Sequence, residues 1–162
     1  MLRVGYGEDA HELATGRQLM LGGVSIESDR GSVAHSDGDV LLHALSDALL
    51  SAWALGDIGR LFPPSDPAYR GLDSVSILET VLGMLATRRD GGWRLSNVAA
   101  VVTLDHPRLG EYREAIQRRV AGLLSLPDGA VGVTFKTSEG LAPDHIQARV
   151  TLLLMKASAL TD

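Results

Sequence analysis

The apolar positions of this chain change period several times, and each change marks an expected element. Leu2 to Tyr6 alternates apolar and other residues, the two-residue period of a strand. Gln18 to Ile26, punctuated by Gly22-Gly23, reads as a short hairpin or bulged strand. Leu41, Leu42, Leu45, Ala48, Leu49 and Ala52 then fall on one broad helical face. That helix is expected to start near Gly38, with Ser36 or Asp37 as N-cap, and to run to about Leu55 before Gly56 ends it.

Gly56 to Asp73 holds Pro63-Pro64, Pro67 and Gly71 and is expected as a long loop, which in compact domains is often functional. A second helix is expected from about Ser74 to Arg88, with Val75, Leu78, Val81, Leu82 and Leu85 inward. A Val-rich strand over Trp93–Leu104 follows, then a third helix over Leu109–Leu124 with Ile116, Val120 and Leu123 on one side. Strands are expected at Val131–Phe135 and Ile146–Met155. This alternation implies an α/β fold, an α+β sandwich in which one sheet has helices packed on one face. In the last strand Ile146, Ala148, Val150, Leu152 and Leu154 share a side, while Leu153 and Met155 add apolar area to the other. An uncovered apolar sheet face is usually an interaction surface, so self-association is expected.

Composition narrows the picture. The 162 residues fit one domain with a core of ordinary size, taken as 1–162. Aromatics are only 4%, so that core must rest on Leu, Val, Ala and Ile. A formal charge of -5 argues against non-specific nucleic-acid binding, yet leaves room for a small anion held by local cations and backbone N–H groups. The chain has no cysteine, which excludes disulfides and thiolate metal sites, so a transition metal would need His and carboxylates. No apolar run approaches the roughly 20 residues that span a bilayer. The N-terminus carries no targeting pattern, and a soluble cytoplasmic protein is the expectation.

The candidate chemistry clusters early. Asp9 and His11 lie two residues apart and share a face if the first strand continues. Asp39, His43 and Asp47 share one helical face. A zinc ion held by Asp9, His11 and His43 would keep an open fourth position, the pattern of a catalytic site able to polarise a phosphoryl oxygen. Asp39 or Asp47 could then hold His43 through its other ring nitrogen. Spacing alone is equally compatible with a surface Asp–His pair and a packed helical histidine. His35-Ser36, before a helix start, offers free N–H groups to a phosphate, or Ser36 and Asp37 simply cap the helix. Asp57 in the Gly56–Gly59 turn could accept from ligand hydroxyls, although a turn needs no ligand to explain it. Lys136 to Gly140 suits phosphate oxygens plus magnesium, or is a polar turn. Trp53 and Tyr112 read as packing residues.

Taken together these segments resemble the 2-C-methyl-D-erythritol 2,4-cyclodiphosphate synthase family. The match comprises G-x-G-x-D-x-H at Gly5 to His11 and H-S-D-G-D-x-x-x-H-A-L-x-D-A at His35 to Ala48. It continues through L-G-D-I-G-x-L-F-P at Leu55 to Pro63, D-P at Asp66-Pro67 and T-S-E at Thr137 to Glu139, in the family's order. The resemblance implies zinc ligation by Asp9, His11 and His43, and a second divalent ion, usually magnesium, at Glu139. It implies phosphate contacts at His35 and Ser36, with His35 and Thr137 steadying the transferring phosphoryl group. Further substrate contacts would come from Asp57, Ile58, Gly59, Phe62, Pro63 and Asp66. The nucleotide would lie against Leu104, His106, Pro107, Arg108 and Leu109, and against Lys136 and Ser138. It also implies a homotrimer formed around the uncovered sheet face, with active sites at subunit interfaces and neither nucleic acid nor membrane as partner.

The implied reaction is intramolecular. The 2-phosphate of a methylerythritol unit attacks the β-phosphorus of its own CDP group, CMP leaves, and an eight-membered cyclic diphosphate forms. The nucleophile is already ionised, so catalysis reduces to positioning and charge stabilisation. A zinc hydrolase and a nucleotide- or metal-binding module without turnover are the other classes these residues allow; solvent oxygen in the product marks the first, and the lack of any product marks the second. Four departures from the family pattern stand out. Glu8 is an acid where an apolar or aromatic residue is common, Lys136 replaces a Thr, and His106 replaces a small residue. The loop after Glu139 is several residues shorter, so an Arg and a Glu of the family's channel mouth have no counterpart.

Overall fold

Two glycines on the first strand set the spacing of the whole assembly. The computed structural model describes residues 1–63, 66, 71–87 and 92–156. Strand β1 spans Leu2–Thr15, and helix α1 spans Val40–Ser51 directly above it. A Cβ on Gly5 would stand 2.0 Å from the Ala48 carbonyl oxygen, and one on Gly7 would stand 2.2 Å from that of Ala44. Only hydrogen fits there, so α1 lies on β1 with no side-chain layer between them.

The other elements are β2 (Leu19–Leu21), β3 (Val24–Ile26), β4 (Arg30–Ser32), α2 (Ile58–Leu61) and α3 (Ser74–Thr87). They continue through β5 (Trp93–Leu104), α4 (Arg113–Leu124), β6 (Val131–Lys136) and β7 (His145–Lys156). Five strands form one sheet in the order β4-β1-β7-β5-β6, and β2 and β3 form a separate hairpin. β7 runs antiparallel to both neighbours, while β5 and β6 are parallel, joined through α4. The inner face of β7 is Ile146, Ala148, Val150, Leu152 and Leu154, all buried beneath the helices. The structure is thus a mixed sheet with helices on one face.

The other face is uncovered in the single chain. Leu2, Val4, Tyr6 and Met155 are exposed there. Glu8 belongs to that face too: it pairs in register with Arg149, 3.6 Å from its Nε, and accepts the Tyr6 hydroxyl at 2.9 Å. The acid that departs from the family pattern is therefore paired with a cation across the sheet. Among the described residues no helix is long and apolar enough to cross a membrane.

Several boundaries differ from the sequence expectation. β1 continues to Thr15 because its inner positions change from Gly5 and Gly7 to Asp9 and His11, polar groups that hide the alternation. β4 pairs with the end of β1, and its three residues carry no pattern of their own. The cap of α1 is Asp39, not Ser36 or Asp37, and the helix ends at Ser51 rather than near Leu55. The expected loop from Gly56 to Asp73 contains the one-turn helix α2, while its Pro64 and Pro67, like Arg88 at the end of the second helix, lie outside the described residues. The third helix begins as a 3-10 turn, Gly110–Tyr112, before α4. Trp53 does pack, edge-on against Trp93 at 5.6 Å with the Arg3 guanidinium over both rings.

Candidate functional site

Where the glycines of β1 give way to longer side chains, α1 presents His43. Asp9 and His11 continue the inner face of Gly5 and Gly7, so all three side chains meet at the edge of the helix–strand contact. His43 Nδ1 lies 2.9 Å from Asp9 Oδ2, and His11 Nε2 lies 3.2 Å from the same oxygen. The three donor atoms fall within 4.8 Å of one another. His11 Nε2 is buried, and its approach to Asp9 Oδ2 falls short of a well-aligned hydrogen bond. A buried nitrogen so weakly served can exchange that contact for a bound cation. Two imidazoles and a carboxylate are a fitting donor set for a divalent ion with a coordination position left for a ligand.

Electrostatics agree with the geometry. Burial opposes ionisation of Asp9, but the hydrogen bonds and charges of His11 and His43 outweigh it and hold the carboxyl well below the usual range. Burial alone would lower His43, yet the Asp9 hydrogen bond and the charges of Asp9, Asp39 and Asp37 raise it. A carboxylate held ionised is ready to bind a cation, which must displace the imidazole proton it shares. This cluster opens into a cavity of ≈ 220 Å³, whose lining includes His35, Ser36, Ile58, Gly59 and Phe62. Asp57 stands beside it as the cap of α2, accepting the Arg60 N–H at 2.9 Å. Pro63 and Asp66 follow, linked by a 2.9 Å backbone bond, and do not line the cavity.

A second cavity, ≈ 410 Å³, gathers the other expected residues. Leu104, Arg108, Leu109, Lys136, Thr137 and Glu139 line it. Thr137 donates its hydroxyl to Glu139 at 2.7 Å. His106, Pro107 and Ser138 lie in the same two loops without lining it. Register places the two cavities at the same end of the sheet but on different strands: His11 is opposite Ile146, Ile146 is opposite Leu104, and Thr103 is opposite Lys136. Three strand spacings separate β1 from β6, roughly 14 Å in all.

Two expectations are corrected here. Neither Asp39 nor Asp47 holds His43 through its second nitrogen. Asp39 is buried and accepts four backbone N–H groups, from Leu41, Leu42, Gly22 and Gly23, tying the β2–β3 turn to α1. Asp47 accepts the Ile58 N–H at 2.8 Å. His43 Nε2 instead meets Ser74 Oγ at 2.9 Å. Of the N–H groups at the start of α1, those of Leu41 and Leu42 are taken by Asp39.

Three residues were not singled out by the sequence. Ser74 follows a long polar stretch and carries no local signal. Asp105 accepts Ser138 N–H at 2.5 Å, Ser138 Oγ–H at 2.8 Å and Gly140 N–H at 3.2 Å, fixing the turn that carries Thr137 and Glu139. Those Ser138 bonds hold the Asp105 carboxyl below its ordinary range. Arg113 lines the second cavity with its guanidinium over Phe135, 5.0 Å from the ring centre.

The YgbB family model matches residues 2–155 of this chain. A 2-C-methyl-D-erythritol 2,4-cyclodiphosphate synthase of Deinococcus radiodurans is 58% identical over 94% of this chain and 93% of its own length. One from Thermus thermophilus is 54% identical over 94% of this chain and 99% of its own. A solved synthase in its CDP-bound form superposes with a TM-score of 0.88 at 50% identity, covering 94% of this chain and 100% of that one.

Proposed function

The chain belongs to the YgbB family, and on that premise we propose that it is a CMP-releasing phosphorus–oxygen lyase of non-mevalonate isoprenoid precursor biosynthesis. It converts 4-diphosphocytidyl-2-C-methyl-D-erythritol 2-phosphate to 2-C-methyl-D-erythritol 2,4-cyclodiphosphate, as a single synthase domain over residues 1–162. The observation that carries this reading is the buried His11 nitrogen converging with Asp9 and His43 in a cavity shared with His35 and Ser36.

Asp9, His11 and His43 hold one divalent ion, and two imidazoles with one carboxylate favour zinc. Bound there, such an ion would polarise a phosphoryl oxygen, and Glu139 would hold a second divalent ion, magnesium, to offset charge on the diphosphate. His35 and Ser36 receive phosphate oxygens, and His35 and Thr137 steady the phosphoryl group in flight. Asp57, Ile58 and Gly59 hold the erythritol unit, with Phe62, Pro63 and Asp66 beyond it. Leu104 and the run His106 to Leu109 receive the cytidine, aided by Lys136 and Ser138. The 2-phosphate oxygen attacks the β-phosphorus, the bond to CMP breaks, and no general base is required. Positioning of this kind is worth roughly 7–11 kcal/mol.

The homotrimer belongs to the same reading. Thr137 and Ser36 must both reach one diphosphate, whose phosphorus atoms are neighbours. The two residues follow from β1's side of the sheet and from β6, strands roughly 14 Å apart, a spacing that favours supply of the two side chains by different copies. A neighbouring subunit that brings its β6 turn to the first subunit's histidines solves this, and the exposed Leu2, Val4, Tyr6 and Met155 offer the face on which copies would meet. Anionic, diffusible substrate and product fit a cytoplasmic enzyme that uses no nucleic acid or membrane.

Incubating the protein with zinc, magnesium and the CDP-methylerythritol phosphate in ¹⁸O water tests the reading by phosphorus NMR. One CMP per cyclic diphosphate, with no solvent oxygen incorporated, is the expected result. A linear product carrying ¹⁸O would make the chain a hydrolase instead.

A further inference from the structure

His43 uses one ring nitrogen toward Asp9, and the other has a partner that reaches it from a different helix. Nε2 lies 2.9 Å from Ser74 Oγ and 3.3 Å from Ser36 Oγ. Ser74 opens α3 and is fully buried. Its hydroxyl meets Asp37 Oδ1, and its backbone N–H donates to Asp37 Oδ2 at 3.3 Å. Asp37 also accepts the Asp39 N–H at 3.3 Å.

Counting donors sets the direction of this chain. An ionised carboxylate only accepts, and a serine hydroxyl has a single hydrogen to give. That hydrogen is committed to Asp37, so Ser74 has only lone pairs to offer His43. Nε2 therefore carries the hydrogen of that 2.9 Å contact, with Ser36 Oγ the more distant neighbour at 3.3 Å. On the other side Nδ1 shares a proton with the Asp9 carboxylate at 2.9 Å, and a cation displaces that proton, leaving the lone pair on Nδ1 and the hydrogen on Nε2. A ring with its only hydrogen on Nδ1 would set two lone pairs against each other at Ser74 and could not release Nδ1 to a cation without moving that hydrogen.

We propose that Ser74 and Asp37 are positioning residues that keep His43 protonated on Nε2 and open to a divalent cation on Nδ1. Neither touches the cation or the substrate. The proposal rests on the reading of Asp9, His11 and His43 as the metal ligands and adds what orients one of them. It also places a determinant of metal affinity on α3, outside the motif that carries the ligands.

Zinc affinity by chelator competition, combined with ¹⁵N-histidine NMR of the metal-free protein, tests it. Ser74→Ala is expected to weaken zinc binding by roughly 10–100-fold with the melting temperature little changed, and Ser74→Thr, which restores the hydroxyl, to recover it. Asp37→Ala removes the acceptor of the Ser74 hydrogen, frees it toward Nε2 and is expected to weaken zinc to a similar degree. His11→Ala should abolish binding. In the wild-type protein the His43 Nε2–H resonance should be present and protected from exchange, and it should lose that protection in Ser74→Ala. If Ser74→Ala binds zinc as tightly as wild type while His11→Ala does not, the positioning role is overturned and the ligand assignment stands. If His11→Ala keeps its zinc, the ligand assignment falls and takes the positioning role with it. Should Ser74→Ala not fold, the wild-type spectrum decides: an Nε2 without hydrogen contradicts the proposal, and a protected Nε2–H supports it.

Discussion

The two cavities of this chain are held together by different means. At the metal side, short side chains project from a strand and a helix whose separation is fixed by Gly5 and Gly7 against the carbonyls of Ala48 and Ala44. At the second cavity, the one proposed to take the nucleotide, Thr137 and Glu139 ride on a turn pinned by a single carboxylate, Asp105. The first is rigid through packing and fails only when backbone elements move apart. The second depends on three polar bonds and can be loosened one bond at a time. A metal site needs its ligands fixed to within a fraction of an ångström, whereas a nucleotide pocket gains from a turn that adjusts as substrate enters.

Substitutions that strike one side and spare the other sharpen this contrast. His43→Ala should have the largest effect, lowering CMP release by about a thousandfold or more, since a Lewis acid contributes several kcal/mol. Zinc content should fall with it while CDP binding, followed by calorimetry, stays intact. Thr137→Ala should lower kcat by about a hundredfold, the usual cost of one lost phosphoryl donor, with zinc content unchanged. Gly7→Ala forces a Cβ against the Ala44 carbonyl and should cost about 1–3 kcal/mol in urea unfolding. It should weaken zinc retention before CDP binding, because the helix that moves carries His43.

Asp105→Asn should have the smallest effect on turnover and shows itself through pH. The folded-state pKa of Asp105 is depressed, so the stability it lends is complete above the unfolded value near pH 4 and is lost as pH falls through the lower folded value. Denaturation of wild type and Asp105→Asn should therefore differ by a constant amount from neutrality to about pH 5 and converge below about pH 4. A gap that persists unchanged into stronger acid would mean that the Ser138 bonds do not depend on the Asp105 charge.

The same contrast explains what could be read from the chain. The periods of two and 3.6 located α1, α3, β5, β6 and β7 within a few residues, because each buries one regular face. The Asp9, His11 and His43 cluster was legible because its residue types are few and lie in two short motifs, and the fold brings its donor atoms within 4.8 Å of one another. The cap of α1 was not, since Ser36, Asp37 and Asp39 all suit that role, and Asp39 wins through the N–H groups of Gly22 and Gly23, a tertiary partner. Ser74 and Asp105 stayed hidden for a related reason. Their partners lie 31 and 33 residues away, and no local pattern announces a hydrogen bond across that separation.

The central claim is that one catalytic centre takes its metal side from one subunit and its nucleotide side from another. Mixing two inactive variants, Asp9→Asn and Thr137→Ala, by co-refolding tests it directly. Random trimers should regain roughly a quarter of wild-type CMP release, because a site is intact only where an undamaged half of each kind meets. No activity beyond that of the separate variants would place both halves within a single chain and contradict the account.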